Sequence, residues 1–395
     1  MAIDTDILLQ PDTLKLIDAL TESDSSTDIV QTVSALRREG HPTERIHQAL
    51  EQVRLRRRAR AKFGPYAQQM LFSETGLEQA SRLAVAAHHA GRFRSAGITS
   101  VADLGCGLGA DSMAFAALGL RVFAVDSDRD TAALASYNLA MFDTVTVSHG
   151  DARHSDLSEA EGLWLDPSRR EGATRLSDPE EWSPSLTDAF ALARSHPSGV
   201  KLAPGMDREL IPADLEAQWV SHGGDVVEVV LWSNTLARSD IRRSALVLGD
   251  THSAELSAAE DAPDAELGPL GAYIYEPDGA VIRARLIGEL ARMVGGTMVA
   301  PDIAYISSDQ EHHSVFAAGF AVNTILPLKT KELSTWVRQA DIGVLEIKKR
   351  GVDIDPARLR EQLAPKGSQS ATLIITRYQG KKVAIVASRL RDTTS

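Results

Sequence analysis

The segment from Val101 to Asp126 constrains the fold of this chain more than any other stretch. An apolar run ends at Leu104, glycines follow at every second position, and an alanine-rich segment with helical spacing comes next. A second apolar run then ends on the carboxylate of Asp126. The sequence therefore predicts a strand, a glycine loop, a helix and a second strand, the unit from which parallel α/β sheets are built.

The loop itself carries Gly105, Gly107 and Gly109, with Asp103 two residues before the first glycine. Glycines let the backbone approach a ligand where a Cβ atom would clash, and the N–H groups of the next helix face the loop. A dinucleotide fingerprint has the spacing Gly-x-Gly-x-x-Gly, and a pyrophosphate has no use for an acid at Asp103. A ligand with an ammonium group does, so the spacing favours such a ligand over a dinucleotide or an empty turn.

The pattern Asp-x-Gly-x-Gly-x-Gly with a later strand-end acid resembles motif I and the ribose-binding acid of class I S-adenosylmethionine-dependent methyltransferases. This resemblance implies S-adenosylmethionine as cofactor, with Asp103 near its amino-acid moiety and Asp126 on its ribose. The acid Asp151, after the third predicted strand, can accept the adenine amino group or serve as a turn residue.

Seven runs predict strands of one sheet. They are Ser100–Leu104, Leu120–Val125, Thr144–Ser148, Gly162–Leu165, Gly199–Leu202, Val226–Trp232 and Ser244–Leu248. The first five leave room for helices between them, which implies parallel pairing with right-handed crossovers. The last two are closely connected and predict an antiparallel hairpin. The expected fold is therefore α/β, with a seven-stranded Rossmann-like methyltransferase sheet.

Four regions are predicted along the chain: an N-terminal helical region (1–62), the methyltransferase domain (63–249), a flexible loop or linker (250–269) and a small α+β module (270–395). The last region includes a predicted hairpin around Gln379-Gly380.

Composition limits the class of protein. No apolar run approaches ~18 residues, so no transmembrane helix and no membrane partner are expected. The N-terminus lacks a signal-peptide pattern, and the single cysteine excludes an intramolecular disulfide and a cysteine-based zinc site. A cytoplasmic protein without a metal is therefore expected. The net charge of −12 argues against a general nucleic-acid coat protein but not against a local basic groove.

Asp166 and Pro167 follow the fourth predicted strand, where ligands of open α/β sheets bind. A carboxylate and the Pro167 carbonyl can accept both N–H bonds of an amine and orient its lone pair. The tetrapeptide resembles the Asp/Asn-Pro-Pro-aromatic motif of amino-group methyltransferases, with Ser168 and Arg169 as departures. Arg169 and Arg170 can grip a phosphate or pair with nearby glutamates.

Two basic runs stand out in this acidic chain, one around Arg56, Arg57 and Arg58, and one at Lys348 and Lys349. Each is either a solvated face or a contact to a phosphate backbone.

Nearly the whole chain resembles a bacterial family of methyltransferases with a C-terminal THUMP-like domain. Segments that carry this resemblance include Asp166-Pro-Ser-Arg-Arg170, Lys201-Leu-Ala-Pro-Gly205 and Glu346-Ile-Lys-Lys-Arg-Gly351. The catalytic half also looks like the RNA-cap trimethylguanosine synthases. THUMP domains are associated with RNA binding, so the resemblance implies an RNA substrate such as tRNA or rRNA, methylated at an exocyclic or ring nitrogen of a base. A small-molecule methyltransferase and a non-catalytic cofactor- or RNA-binding module are the alternatives.

Overall fold

The computed structural model describes residues 3–22, 29–171, 174–249 and 251–390. They pack as two compact units. The first unit comprises Met1–Leu202 with Val230–Ala237, and the second comprises Ala203–Val229 with Arg238–Ser395. The domain boundaries expected from the sequence stay a prediction.

The helices alternate with strands along most of the chain. In order, the helices are α1 Thr5–Leu8, α2 Pro11–Glu22, α3 Ile29–Arg38, α4 Thr43–Phe63, α5 Glu74–Gln79, α6 Leu83–Ser95, α7 Ala110–Ala117, α8 Arg129–Leu139, α9 Leu186–Ser195, α10 Gly279–Arg283, α11 Ile287–Met293, α12 Thr330–Gln339 and α13 Pro356–Leu363. The strands are β1 Ser100–Leu104, β2 Arg121–Asp126, β3 Val145–His149, β4 Gly162–Leu165, β5 Arg170–Glu171, β6 Thr174–Arg175, β7 Ser198–Leu202, β8 Glu216–His222, β9 Asp225–Trp232, β10 Arg243–Leu248, β11 Ser253–Ala258, β12 Tyr273–Pro277, β13 Thr297–Met298, β14 Ile306–Ser308, β15 Ala317–Pro327, β16 Ile342–Lys349, β17 Gln369–Tyr378 and β18 Lys381–Arg389.

In the first unit, the sheet has the strand order β3-β2-β1-β4-β7, and the last residues of β9 lie beside β7. The pairs from β3 through β7 are all parallel. Strands β1 and β4 are fully buried, as their apolar sequences require in a sheet covered on both faces. The five strands expected to be parallel are therefore confirmed, and their carboxyl ends lie at one edge of the sheet.

The N-terminal helices share a core with this sheet. Buried side chains of α2 and α4, such as Ile17 and Leu55, belong to the same cluster as Phe115 and Trp164. Trp164 is fully buried and packs 5.9 Å from Trp232, centroid to centroid. The predicted helical region is thus part of the first unit's core.

In the second unit, β8 lies between β10 and the first residues of β9. Strand β10 pairs in parallel with β8 and antiparallel with β11. The expected hairpin between Val226–Trp232 and Ser244–Leu248 is therefore wrong, because β8 separates these strands. The predicted set of seven strands also lacked β8 itself. In addition, β11 occupies part of the segment 250–269 that was predicted to be a loop or linker, while Asp250 lies outside the described residues.

The second unit also contains a seven-stranded sheet with the order β13-β14-β12-β15-β18-β17-β16. Helices α12 and α13 cover one face of this sheet through Leu333, Val337, Leu359 and Leu363. The opposite face has its own core around Phe320. The predicted hairpin around Gln379-Gly380 is confirmed, because β17 and β18 pair antiparallel across that turn.

Arg56 departs from its predicted role on a basic surface. Only 2% of Arg56 is exposed. Its Nε donates to the Met70 carbonyl at 2.9 Å, and its Nη1 lies 2.9 Å from an Asp18 carboxylate oxygen and 3.2 Å from the Thr21 hydroxyl. Arg56 therefore holds α4 against α2 and the chain near Met70, and it is not available to a nucleic acid.

Substituting Arg56→Ala should lower the free energy of unfolding by about 2–4 kcal/mol, because it removes a buried side chain and leaves the Met70 carbonyl without its donor. Arg57 is the matched control, since it is the next residue of the same helix and is exposed. Arg57→Ala should change the stability by no more than about 0.5 kcal/mol. Urea denaturation of both variants measures the difference, and equal stabilities would contradict a structural role for Arg56.

Candidate active site

The glycine loop lies between β1 and α7. Gly105, Gly107 and Gly109 have φ angles of 92°, 55° and 87°, a region that favours glycine. A Cβ atom on Gly105 would lie 2.6 Å from the backbone carbonyl oxygen of Asp166. The loop and the end of β4 therefore approach each other more closely than any other residue type at Gly105 would permit.

Asp126 ends β2 beside this loop. One carboxylate oxygen accepts a hydrogen bond from the Gly107 N–H at 2.9 Å, and the other accepts from the Asp128 N–H at 2.9 Å. Burial raises the pKa of Asp126, and these two N–H groups oppose the rise. The position, at the carboxyl edge of the sheet, is where a strand-end acid can contact ribose hydroxyls.

Asp103 lies under the loop and is only 1% exposed. Its Oδ2 accepts a hydrogen bond from the Ser112 hydroxyl at 2.5 Å. Its buried Oδ1 has no hydrogen-bond partner within the part of the chain that the structure describes. Burial, together with the neighbouring Asp111, raises the pKa of Asp103 to about 8. A ligand ammonium group beside this oxygen would favour the ionised form of Asp103, and the carboxylate could then accept a hydrogen bond from it.

Asp166 is paired with a residue that the sequence reading had not assigned to the site. Lys201, the charged residue of β7, places its Nζ 2.5 Å from Asp166 Oδ2. The same Nζ lies 3.1 Å from the Ser81 hydroxyl and 3.8 Å from an Asp111 carboxylate oxygen. A lysine in a parallel strand that is otherwise buried, near the carboxyl edge of the sheet, was the available signal.

Asp111, in the first turn of α7, connects this pair to α6. It accepts from the Ser81 hydroxyl at 2.8 Å, and His89 Nδ1 lies 2.8 Å from its other oxygen. Burial alone would raise the pKa of Asp111, but His89 and Lys201 outweigh it and bring the pKa to about 2. His89 stacks on Trp164 with 4.3 Å between ring centroids. His89 is therefore both packed in the core and part of a buried charge network.

Asp151 has its carboxylate occupied by a neighbour. It accepts from the Arg153 backbone N–H at 2.9 Å and forms a 2.6 Å ion pair with the Arg153 side chain. This bonding lowers the pKa of Asp151 to about 2. Asp151 would have to share these oxygens with Arg153 in order to accept an adenine amino group.

The segment after Asp166 forms a small structured loop. Pro167 is buried, and the backbones of Ser168 and Ser183 exchange hydrogen bonds of 2.9 and 3.1 Å. Arg169 is half-buried, whereas the side chain of Arg170 lies outside the described residues. Trp164 is buried in the core and is therefore excluded as a stacking surface for an acceptor.

The remaining predicted substrate residues differ in their surroundings. Arg57 and Lys349 are exposed. Arg58 forms an ion pair with Glu74. Lys348 lies 2.6 Å from a Glu276 carboxylate oxygen. Hence Arg57 and Lys349 are exposed cations with no carboxylate partner in the described chain, whereas Arg58 and Lys348 already pair with glutamates.

Within the described residues, no group of three His, Cys, Asp or Glu side chains is arranged to hold a metal ion. No described helix combines the length and apolarity needed to span a bilayer.

Comparison with known proteins shows which class of protein this chain belongs to. Two relatives, from two strains of Mycobacterium tuberculosis, are each named an uncharacterized S-adenosylmethionine-dependent methyltransferase. Each is 33% identical over 337 residues, which cover 83% of this chain and 92% of the relative. This chain therefore belongs to the S-adenosylmethionine-dependent methyltransferases. Its donor is S-adenosylmethionine, and the unpartnered Asp103 oxygen and the glycine loop beside Asp126 fit that molecule.

Other similarities concern parts of the chain or the fold. Residues 317–389 match the family described as THUMP domain-like, and residues 4–59 match a domain of unknown function, DUF8688. A crystal structure of an inferred methyltransferase from Porphyromonas gingivalis superimposes with a TM-score of 0.75 at 19% identity, covering 97% of this chain and 100% of that one. That similarity shows a shared fold.

Asp103 should make stability fall as pH rises. Between about pH 4 and pH 8 the unfolded chain has released this proton while the folded chain still holds it, so the free energy of unfolding decreases across that window. The variant Asp103→Asn lacks this linkage and should lose less stability over the same range. Urea denaturation at several pH values compares the two proteins, and parallel curves would contradict a protonated Asp103.

Proposed function

We propose that this enzyme methylates a nitrogen of an RNA base, exocyclic or in the ring. The observation that carries the proposal is the position of Asp166, which follows β4 at the carboxyl edge of the sheet and whose carbonyl meets Gly105. An acceptor held by Asp166 would therefore lie next to a donor held by the glycine loop.

In this proposal Asp126 binds the ribose hydroxyls and Asp103 accepts a hydrogen bond from the donor's ammonium group. The three glycines give the donor access to the loop backbone, and Asp151 is assigned to the adenine. When bound, S-adenosylmethionine supplies an electrophilic methyl group on a sulfonium. The chain's own contribution is alignment of the acceptor with that methyl group.

Asp166 and the carbonyl of Pro167 are proposed to accept the two N–H bonds of an amine. Both acceptors hold the amine nitrogen in one orientation, with its lone pair aimed at the methyl group. Orientation of this kind can supply roughly 7–11 kcal/mol of the barrier reduction. The 2.5 Å contact from Lys201 supports this role, because it fixes the Asp166 carboxylate from the side of β7.

An RNA acceptor is favoured by the match of residues 317–389 to the THUMP domain-like family. Arg57, Lys349, Arg169 and Arg170 are the proposed phosphate contacts. Arg58 and Lys348 would have to exchange their carboxylate partners for phosphates, so we assign them a smaller contribution to RNA binding.

The proposal is tested by nucleoside mass spectrometry of RNA from a strain in which the gene is deleted. Loss of one methylated nucleoside, restored by the wild-type gene but not by Asp166→Asn, is the expected result. Unchanged RNA modification would favour a small-molecule acceptor instead.

Cofactor binding should depend on Asp126. Asp126→Ala should weaken binding of S-adenosylhomocysteine more than tenfold, about 1.4 kcal/mol, because the ribose loses its acceptor. Asp143→Ala is a control, since Asp143 is an exposed acid of the same unit. Isothermal titration calorimetry gives both affinities, and equal binding by the two variants would remove Asp126 from the site.

Methyl transfer should depend on Asp166 and, through it, on Lys201. Asp166→Asn and Lys201→Met should each retain S-adenosylhomocysteine binding but slow methyl transfer about 100-fold, since a misplaced acceptor loses its alignment. Lys201→Arg keeps a cation beside Asp166 and should recover part of the rate. The assay uses labelled donor and total RNA from the deletion strain, and a fully active Lys201→Met enzyme would rule out the positioning role.

A further inference from the structure

The seven-stranded sheet of the second unit carries cations on both faces, and on one face Lys348 and Arg389 are paired with carboxylates. Lys348 Nζ lies 2.6 Å from Glu276 and 3.6 Å from Glu346, and Arg389 lies 3.0 Å from Glu346. Lys348 and Arg389 also lie over the Phe320 ring, at 5.7 and 4.9 Å from its centroid. These charges are satisfied within the protein and leave little attraction for an external anion.

The opposite face carries three cations on three adjacent strands. Lys349 at the end of β16 is the register partner of Ile375 on β17. Arg377 follows two residues later on β17, and Lys382 on β18 is directly opposite Arg377. Residues paired across a sheet, and residues two apart on a strand, share a face. Lys349, Arg377 and Lys382 therefore form a line on the Ile375 face, which we call the basic row.

The basic row is available to a ligand. All three side chains are exposed, and none has an Asp or Glu carboxylate within 4.0 Å in the described ranges of the chain. The neighbouring sequence adds no compensating charge, because residues 362–390 contain five basic residues and no acidic one. In a chain with a net charge of −12, this is a local concentration of unpaired positive charge.

The geometry of the row indicates the kind of anion. Adjacent strands are about 4.8 Å apart, so the backbone positions of three cations on three strands extend over roughly 10 Å. A single phosphate would contact only part of such a line, whereas a chain of phosphates can contact all of it. The row is therefore suited to a polyanion.

We propose that the basic row, Lys349, Arg377 and Lys382, binds the phosphate backbone of single-stranded RNA. The choice of RNA as the polyanion rests on the proposed function. Arg377 and Lys382 belong to no predicted site, and they replace the paired Lys348 as partners of Lys349 in holding RNA on the C-terminal module.

The test is equilibrium binding of a fluorescein-labelled single-stranded oligouridylate to the full chain at several salt concentrations. The triple variant Lys349→Gln, Arg377→Gln, Lys382→Gln should bind at least tenfold more weakly than the wild type at low salt. Each phosphate contact on a single strand contributes about −0.7 to the log–log salt slope, so the slope should become shallower by about 2.

A charge-matched control uses three other exposed cations of the second unit. Arg283→Gln, Arg285→Gln, Arg338→Gln removes the same net charge from residues without a carboxylate within 4.0 Å in the described chain. Its affinity and salt slope should match those of the wild type within about threefold. Because all six side chains are exposed, thermal unfolding of both variants should stay near that of the wild type.

Unchanged affinity in the basic-row variant, equal losses in the two triple variants, or no binding by the wild type would each overturn the inference. These outcomes are independent of the nucleoside measurement. A deletion strain that lacks one methylated nucleoside, together with normal RNA binding by the basic-row variant, would leave the proposed function standing and this surface refuted. RNA binding that depends on the basic row, without any lost nucleoside, would support this surface and refute the proposed function.

Discussion

The contact between Gly105 and the carbonyl of Asp166 is the constraint on which the candidate site depends. Strands β1 and β4 pair in parallel, so their carboxyl ends emerge side by side and the chain leaving each must share the same space. A residue with a Cβ atom at Gly105 would collide with that carbonyl at 2.6 Å. Only with glycine can the loop after β1 approach the end of β4 so closely, and in the proposed function this closeness places the methyl acceptor beside the methyl donor.

The second constraint is charge balance beneath the loop. Asp103, Asp111 and Asp166 lie near a single lysine, Lys201, and one histidine, His89. Buried charges are tolerated only when they are paired or neutralised. Asp111 and Asp166 are paired with cations, whereas Asp103 retains its proton, with a pKa raised by burial to about 8. The cluster thus holds two carboxylates paired with cations and one protonated carboxyl group, whose Oδ1 has no hydrogen-bond partner in the described part of the chain.

Much of the fold followed from local patterns. The glycine loop, the five parallel strands and the hairpin at Gln379-Gly380 each have a short-range signature of glycine spacing or apolar periodicity. Strand β8 was missed because its sequence, Glu-Ala-Gln-Trp-Val-Ser-His, has neither an apolar run nor a strict alternation of apolar and polar residues. Pairing β9 with β10 followed from their closeness along the chain, while the observed order is decided by which apolar strands are buried together.

The sequence by itself determined the glycine loop between β1 and α7 and, through the motif resemblance, the class of enzyme, because a turn with positive φ angles needs glycine wherever the rest of the chain lies. Only the tertiary structure decided which charges are free. Arg56 and Arg57 are adjacent in sequence, yet one is buried against Asp18 and the other is exposed; Lys348 and Lys349 point to opposite faces of one sheet. The state of a charged side chain depends on partners distant in sequence, such as Glu276 for Lys348 or Lys201 for Asp166, and burial and pairing with such partners exist only in the folded chain.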